Sequence, residues 1–361
     1  MIGLMQCVPV ACPRAPLSAL LAGLLAPLFA AAALAAAASS PSGAQRAADA
    51  GRTLVGTAAP RVVMTTIDGQ QIDLGRLYGA KAVYLKFWAT WCVPCREQMP
   101  HLEHTFRTAG ADLAVIAINA GFNDTLADAR DYRRRMGLTV PIVLDDGRLG
   151  AAFNLRVTPQ HVVIGRDGRI LYVGHLADAR LEAALRAARS AALPAASVAG
   201  AAPQSTPAAG HYRVGDQLPA LAVSTLAGGT FLVGASGRPT VVAFLAPWCE
   251  SYLAESRPQL ASNCRSAREQ LQARAADPQV RLLGVASGLW ASAEDLADYR
   301  DQYHVTIPLT LDESGRLFRE FRVMIVPTLL LIDGHGRIVR RLSGAAAAQP
   351  QALQTLLASA G

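Results

Sequence analysis

Lysine is almost missing from this 361-residue chain: Lys81 and Lys86 are the only two, and the formal net charge of +7 rests on scattered arginine. No block of basic residues carries interleaved aromatics, so the pattern of a nucleic-acid groove is lacking and a solvated, Arg-rich surface is the expected use of the charge. Metal-ligand spacing is lacking as well. Cys92 and Cys95 form a close pair, but the later cysteines, Cys249 and Cys264, are single and far apart, and no His pair has ligand spacing. A zinc knuckle needs a second close pair, so no metal is expected. A long apolar run occurs once, at Ala15 to Ala38, and it is mostly alanine with Pro27 inside. The hydrophobic fraction of 52% is inflated by the same residue type. The length leaves room for two ordinary domains.

What is present centres on residues 82 to 100, AVYLKFWATWCVPCREQMP. Strand-forming residues run from Val83 to Trp88, a short turn follows, and Cys92-Val93-Pro94-Cys95 opens a helix. A helix start offers unpaired N–H groups and the positive end of the macrodipole, and both stabilise a thiolate. Cys92, at that start, is expected to be the more acidic, more accessible and attacking sulfur. Cys95 lies one turn deeper, within disulfide reach and more shielded, which suits a resolving thiol. Pro94 fixes φ where a helix tolerates it best. The block Phe87-Trp88-Ala89-Thr90-Trp91-Cys92-Val93-Pro94-Cys95-Arg96 resembles the active site of the TlpA-like branch of the thioredoxin family of thiol–disulfide oxidoreductases.

Residues 1–38 read as a signal peptide or membrane anchor. Arg14 precedes the apolar run, and Ala36-Ala37-Ala38 before Ser39-Ser40-Pro41 suits cleavage, although the run is long enough to span a bilayer. Export to the periplasm follows in either case, and disulfide chemistry is permitted there. Cys7 and Cys12 read as incidental. Residues 39–54 read as a flexible spacer. Residues 55–192 form the first domain, with hairpin signals at Asp68-Gly69 and Asp167-Gly168. Strands alternating with helices indicate an α/β sheet. Residues 193–212 are rich in Ala, Pro, Ser and Gly and read as a linker.

Residues 213–361 repeat the first domain. Thr240 to Cys249 mirrors Val83 to Cys92 at an offset of 157, and Val326-Pro327-Thr328 matches Thr158-Pro159-Gln160 at 168. The fold expected is therefore α/β, two tandem thioredoxin-like domains, each a central mixed β-sheet flanked by helices. The second motif is Cys249-Glu250-Ser251-Tyr252, with tyrosine in place of the resolving cysteine. Fifteen residues of continuous helix between Cys249 and Cys264 would span about 22 Å, whereas a disulfide needs Cα atoms within roughly 7 Å. A bond between them is disfavoured on that assumption. A bracing or recruiting domain is favoured over a single-thiol site, and a secondary thiol role for Cys249 and Cys264 is left open.

The resemblance implies more. Pro159 is cis in the family and packs against the two cysteines, which would leave the Thr158 backbone open to an extended substrate segment. Trp91, Val93, Pro94, Thr158 and Pro159 are thereby expected to bind substrate. Protein disulfides are the expected clients, a membrane protein the electron donor, and no cofactor is implied. The family's clients include apocytochromes and copper-handling proteins. An oxidase or isomerase using the same cysteines, or a non-catalytic binding or assembly protein, is the alternative. A peroxiredoxin is disfavoured, because Leu85 and Ala89 hold the places of its Pro and Thr before Cys92. Lys86 stands six residues before Cys92. Buried, its amine would have a lowered pKa and could exchange a proton with Cys95, but a stem that packs while the amine reaches water is favoured.

Overall fold

The computed structural model describes residues 40–190 and 212–358, which lie in one compact unit. The signal or anchor segment at 1–38 and almost all of the 193–212 linker lie outside the described residues. Among the described residues no helix is long and apolar enough to cross a membrane.

The first half runs α1 (Gly43–Arg52), β1 (Val63–Thr65), β2 (Gln71–Asp73), α2 (Leu74–Leu77), β3 (Ala82–Trp88), α3 (Val93–Glu97), α4 (Met99–Arg107), β4 (Leu113–Asn119), α5 (Leu126–Met136), β5 (Ile142–Leu144), α6 (Arg148–Ala152), β6 (Gln160–Ile164), β7 (Ile170–Gly174) and α7 (Ala179–Ser190). The second runs β8 (Leu221–Ser224), β9 (Thr230–Val233), β10 (Thr240–Leu245), α8 (Cys249–Tyr252), α9 (Pro258–Ala273), β11 (Arg281–Ser287), α10 (Ala293–Gln302), β12 (Leu309–Asp312), α11 (Arg316–Glu320), β13 (Thr328–Ile332), β14 (Ile338–Ser343), α12 (Ala345–Ala348) and α13 (Ala352–Leu357).

The two halves build the same object. One sheet has the order β5-β4-β3-β6-β7 and the other β12-β11-β10-β13-β14. In each, the first three strands are parallel and the last two antiparallel to their neighbours. β3 is buried along its whole length, as a near-continuous apolar run demands of a central strand covered on both faces. α5 and α10 begin with matching capping boxes, Thr125 with Asp128 and Ser292 with Asp295. This is the mixed, helix-flanked sheet of tandem thioredoxin-like domains. The buried core around Cys92 and Cys95 continues into the second half, through Phe244, Cys249 and Phe318.

Two expectations fail. The proposed spacer is largely a helix, α1. Ser42 accepts the Gln45 N–H while the Gln45 side chain accepts the Ser42 N–H, a complete capping box. Alanine content that read as flexibility instead puts Ala47 and Ala50 on a buried face. Arg46 reaches across to Asp295 at 2.6 Å.

The second failure is at Cys249 and Cys264, which are disulfide-bonded with Cα atoms 6.3 Å apart. The intervening helix is not continuous. α8 ends at Tyr252, residues 253–257 turn, and Pro258 opens α9 in its first turn, where its missing N–H costs nothing. The turn lays α9 back against α8 and brings the sulfurs together. Closing a loop of this length lowers the entropy of the unfolded chain by about 3 kcal/mol on the chain-entropy account. The double substitution Cys249→Ser with Cys264→Ser is expected to lower stability by roughly that amount, read from the midpoint of urea unfolding of the oxidised protein.

Candidate active site

β3 delivers its chain to the C-terminal end of the sheet, where ligands bind in open α/β folds. There Thr90 is fixed by Asp124: the carboxylate accepts the Thr90 N–H at 2.7 Å and the Asn119 side-chain amide at 2.8 Å, and it also accepts the Thr90 hydroxyl. Burial pushes the Asp124 carboxyl up, against these hydrogen bonds and the Arg257 guanidinium, which pull it down. Cys92 caps α3 with an extended backbone, and its Sγ accepts the Cys95 N–H at 3.2 Å. Cys92 and Cys95 are disulfide-bonded, with Cα atoms 5.2 Å apart. Thr158–Pro159 is cis, as is Val326–Pro327 at the matching place in the second half. The Thr158 carbonyl oxygen lies 3.3 Å from Cys92 Sγ, and His175 Nδ1 bonds the Pro159 carbonyl at 2.7 Å.

The structure thus gathers Trp91, Cys92, Val93, Pro94, Cys95, Thr158 and Pro159 into one site. It does not leave that site open. Cys92, expected to be accessible, is 1% exposed, and Thr158, expected to offer its backbone, is fully buried. The covering comes from the second half. Trp248 stacks on Trp91 with ring centroids 4.8 Å apart, and the Tyr252 hydroxyl accepts the Val93 N–H at 3.1 Å. Trp290 donates its indole N–H to the Thr158 hydroxyl at 3.1 Å. The Arg257 guanidinium bonds the Thr90 hydroxyl and lies 3.2 Å from Asp124. Sequence reading missed Asp124, Trp248, Tyr252, Arg257 and Trp290 as parts of this site. Only the alignment of Tyr252 with Cys95 in the repeat held a hint.

Lys86 also departs from expectation. Strand alternation puts Tyr84, Lys86 and Trp88 on one face of β3, the face that packs in the same core as Cys92 and Cys95. The amine does not reach water: Lys86 is fully buried and its Nζ has no hydrogen-bond partner among the described residues. Burial pulls its pKa down to about 7. His161, opposite Lys86 in the β3–β6 register, bonds the Tyr84 hydroxyl through Nδ1 at 2.7 Å and Gln98 through Nε2 at 2.9 Å. Burial and then the nearby Lys86 charge hold this imidazole well below its ordinary range.

Residues 54–187 match the family model described as Redoxin. A thiol-disulfide oxidoreductase ResA of Halalkalibacterium halodurans is 34% identical over 130 residues, covering 35% of this chain and 71% of the relative. The chain belongs to the redoxin family of thiol–disulfide oxidoreductases. ResA of Bacillus thuringiensis strain Al Hakam is 29% identical over 143 residues, covering 38% of this chain and 81% of the relative. Among solved structures, a thiol:disulfide interchange protein from Chlorobium tepidum is 27% identical and covers 37% of this chain and 96% of that one, with a TM-score of 0.34. As an enzyme of this family the chain carries out thiol–disulfide redox chemistry.

The buried amine has a measurable cost. In the unfolded chain Lys86 keeps an ordinary lysine pKa, so between about pH 10.5 and 7 the unfolded state takes up a proton that the folded state refuses. Stability therefore falls as pH drops through that window and levels off below it. Lys86→Met is expected to raise stability at pH 7 by on the order of 3 kcal/mol, with the gain shrinking toward pH 10. Denaturant unfolding of both proteins at pH 7, 8.5 and 10 checks this, and a pH-independent difference would contradict it.

Proposed function

We propose that the protein is exported and reduces disulfides of client proteins through Cys92 and Cys95. The observation that carries this reading is the Cys92–Cys95 pair at the head of α3, with Cys92 Sγ receiving the Cys95 N–H. In the reduced enzyme that donor stabilises charge on Cys92, which makes it the attacking sulfur. The Cys92 thiolate attacks a client disulfide. The client S–S bond breaks, a Cys92–client mixed disulfide forms, and one client sulfur leaves as thiolate. The Cys95 thiolate then attacks Cys92 Sγ, the Cys92–Cys95 bond forms, and the second client thiolate leaves. Two electrons pass to the client, and a membrane electron donor on the exported side restores the dithiol. Trp91, Val93, Pro94, Thr158 and Pro159 are the residues that would meet the client once the covering groups of the second half withdraw.

Cys95→Ser is expected to accumulate mixed disulfides with client proteins, and Cys92→Ser to trap few or none, read on non-reducing gels after acid quench. Equal trapping by both would reverse the assignment. The direction of electron flow is read from the Cys92–Cys95 potential against glutathione: a value below about −200 mV fits a reductase, whereas one near −120 mV fits an oxidant.

A further inference from the structure

Cys92 and Cys95 lie under a cover that the first half of the chain does not supply. The disulfide-closed segment 249–264 carries two of the cover's side chains. Tyr252 and Arg257 bind either side of Cys92, one at Val93 and the other at Thr90 and Asp124. Arg257 also reaches the Asn123 carbonyl at 3.4 Å. The third contact is made by the backbone. The Trp290 N–H donates to the Arg156 carbonyl at 2.9 Å, and its indole N–H donates to the Thr158 hydroxyl. An extended client segment docking beside Thr158–Pro159 by strand addition would need the Arg156 carbonyl that Trp290 occupies and the space that Tyr252 and Arg257 fill. A client sulfur cannot approach Cys92 while Tyr252, Arg257 and Trp290 hold their places.

We propose that the second domain is a client-selecting cap: Tyr252, Arg257 and Trp290 are specificity-determining residues that close the Cys92 groove, and exchange runs through a form in which they have let go. The partner this geometry fits is a disulfide or dithiol within an extended polypeptide segment, which can replace the backbone hydrogen bond of Trp290. A compact protein with a recessed disulfide cannot. Tyr252 keeps 40% exposure, so the cap has its rim, and its point of release, at this residue. Arg257 is the firmer hold, since Asp124 is buried and charge-assisted bonds are roughly twice as strong as neutral ones. The proposal rests on Cys92 being the attacking sulfur.

In the oxidised full-length chain Cys249–Cys264 closes the segment that bears Tyr252 and Arg257, so it is no control for their release, and general loosening is followed instead by urea unfolding of each variant. Wild type, Tyr252→Phe, Arg257→Gln and the double variant are exposed to a reduced thioredoxin as a bulky dithiol and to a small phosphine. Loss of each disulfide is followed by acid quench and peptide mapping. The double variant is expected to speed thioredoxin's reduction of Cys92–Cys95 by about tenfold or more, the scale set by losing hydrogen bonds of this kind. The gain with phosphine should be smaller, and the urea midpoint should stay close to that of wild type. An unchanged Cys92–Cys95 rate would overturn the cap. So would an equal gain with thioredoxin and with phosphine accompanied by a lowered urea midpoint, which reports general loosening. The client-trapping comparison, repeated in the double variant, separates the two ideas. Absence of Cys92-dependent trapping there would remove the reading of Cys92 as attacking sulfur, whereas intact trapping with an unchanged rate removes only the cap.

Discussion

The Asp124 carboxylate is the constraint on which the site depends. It is buried, so each of its lone pairs has to find a donor or the folded state loses stability. The Thr90 backbone and hydroxyl fix the turn before Cys92, the Asn119 amide fixes the end of β4, and the Arg257 guanidinium arrives from the other half of the chain. One carboxylate thus ties the reactive turn, the central sheet and the partner domain together. Removing any donor would leave a buried acceptor short, which costs more than the bond alone is worth.

The docking of the halves follows their internal repeat. Asn123 and Trp290 occupy matching places after β4 and β11, and both have positive φ, 56° and 60°. This region is uncommon for residues other than glycine. Each aims its backbone N–H at the other domain: Asn123 at the Met324 carbonyl, 2.7 Å away, and Trp290 at the Arg156 carbonyl. Met324 and Arg156 are themselves matching positions, three residues before Pro327 and Pro159. The domains therefore meet through equivalent surfaces, as two copies would across a two-fold axis. The surface that each presents is the one that carries its cysteine.

Much of this was legible in the sequence and some was not, for identifiable reasons. The Cys-x-x-Cys helix start, both Asp-Gly hairpins and the repeat rest on local patterns and could be read. α1 was misread because an Ala-rich stretch looks the same whether its small face is solvated or packed. The Cys249–Cys264 bond was misread because a continuous helix was assumed, although Pro258 is a favoured first-turn residue and marked a new start. Lys86 was ambiguous because a lysine stem can pack with its amine wet or dry, and only the strand's register decides. Arg257 could not be singled out at all. It is one of many arginines, and its partner is 133 positions away in sequence.

Tyr252 stands where the repeat would place a second cysteine, and it also supplies the acceptor for the Val93 N–H. At this position the repeat has a contact on the first domain where a resolving cysteine would stand. A cysteine at 252 would restore the spacing of a dithiol but would be too short to reach Val93. The side chain at this position can serve one domain's chemistry or the other's enclosure, and the duplicated fold has settled on enclosure.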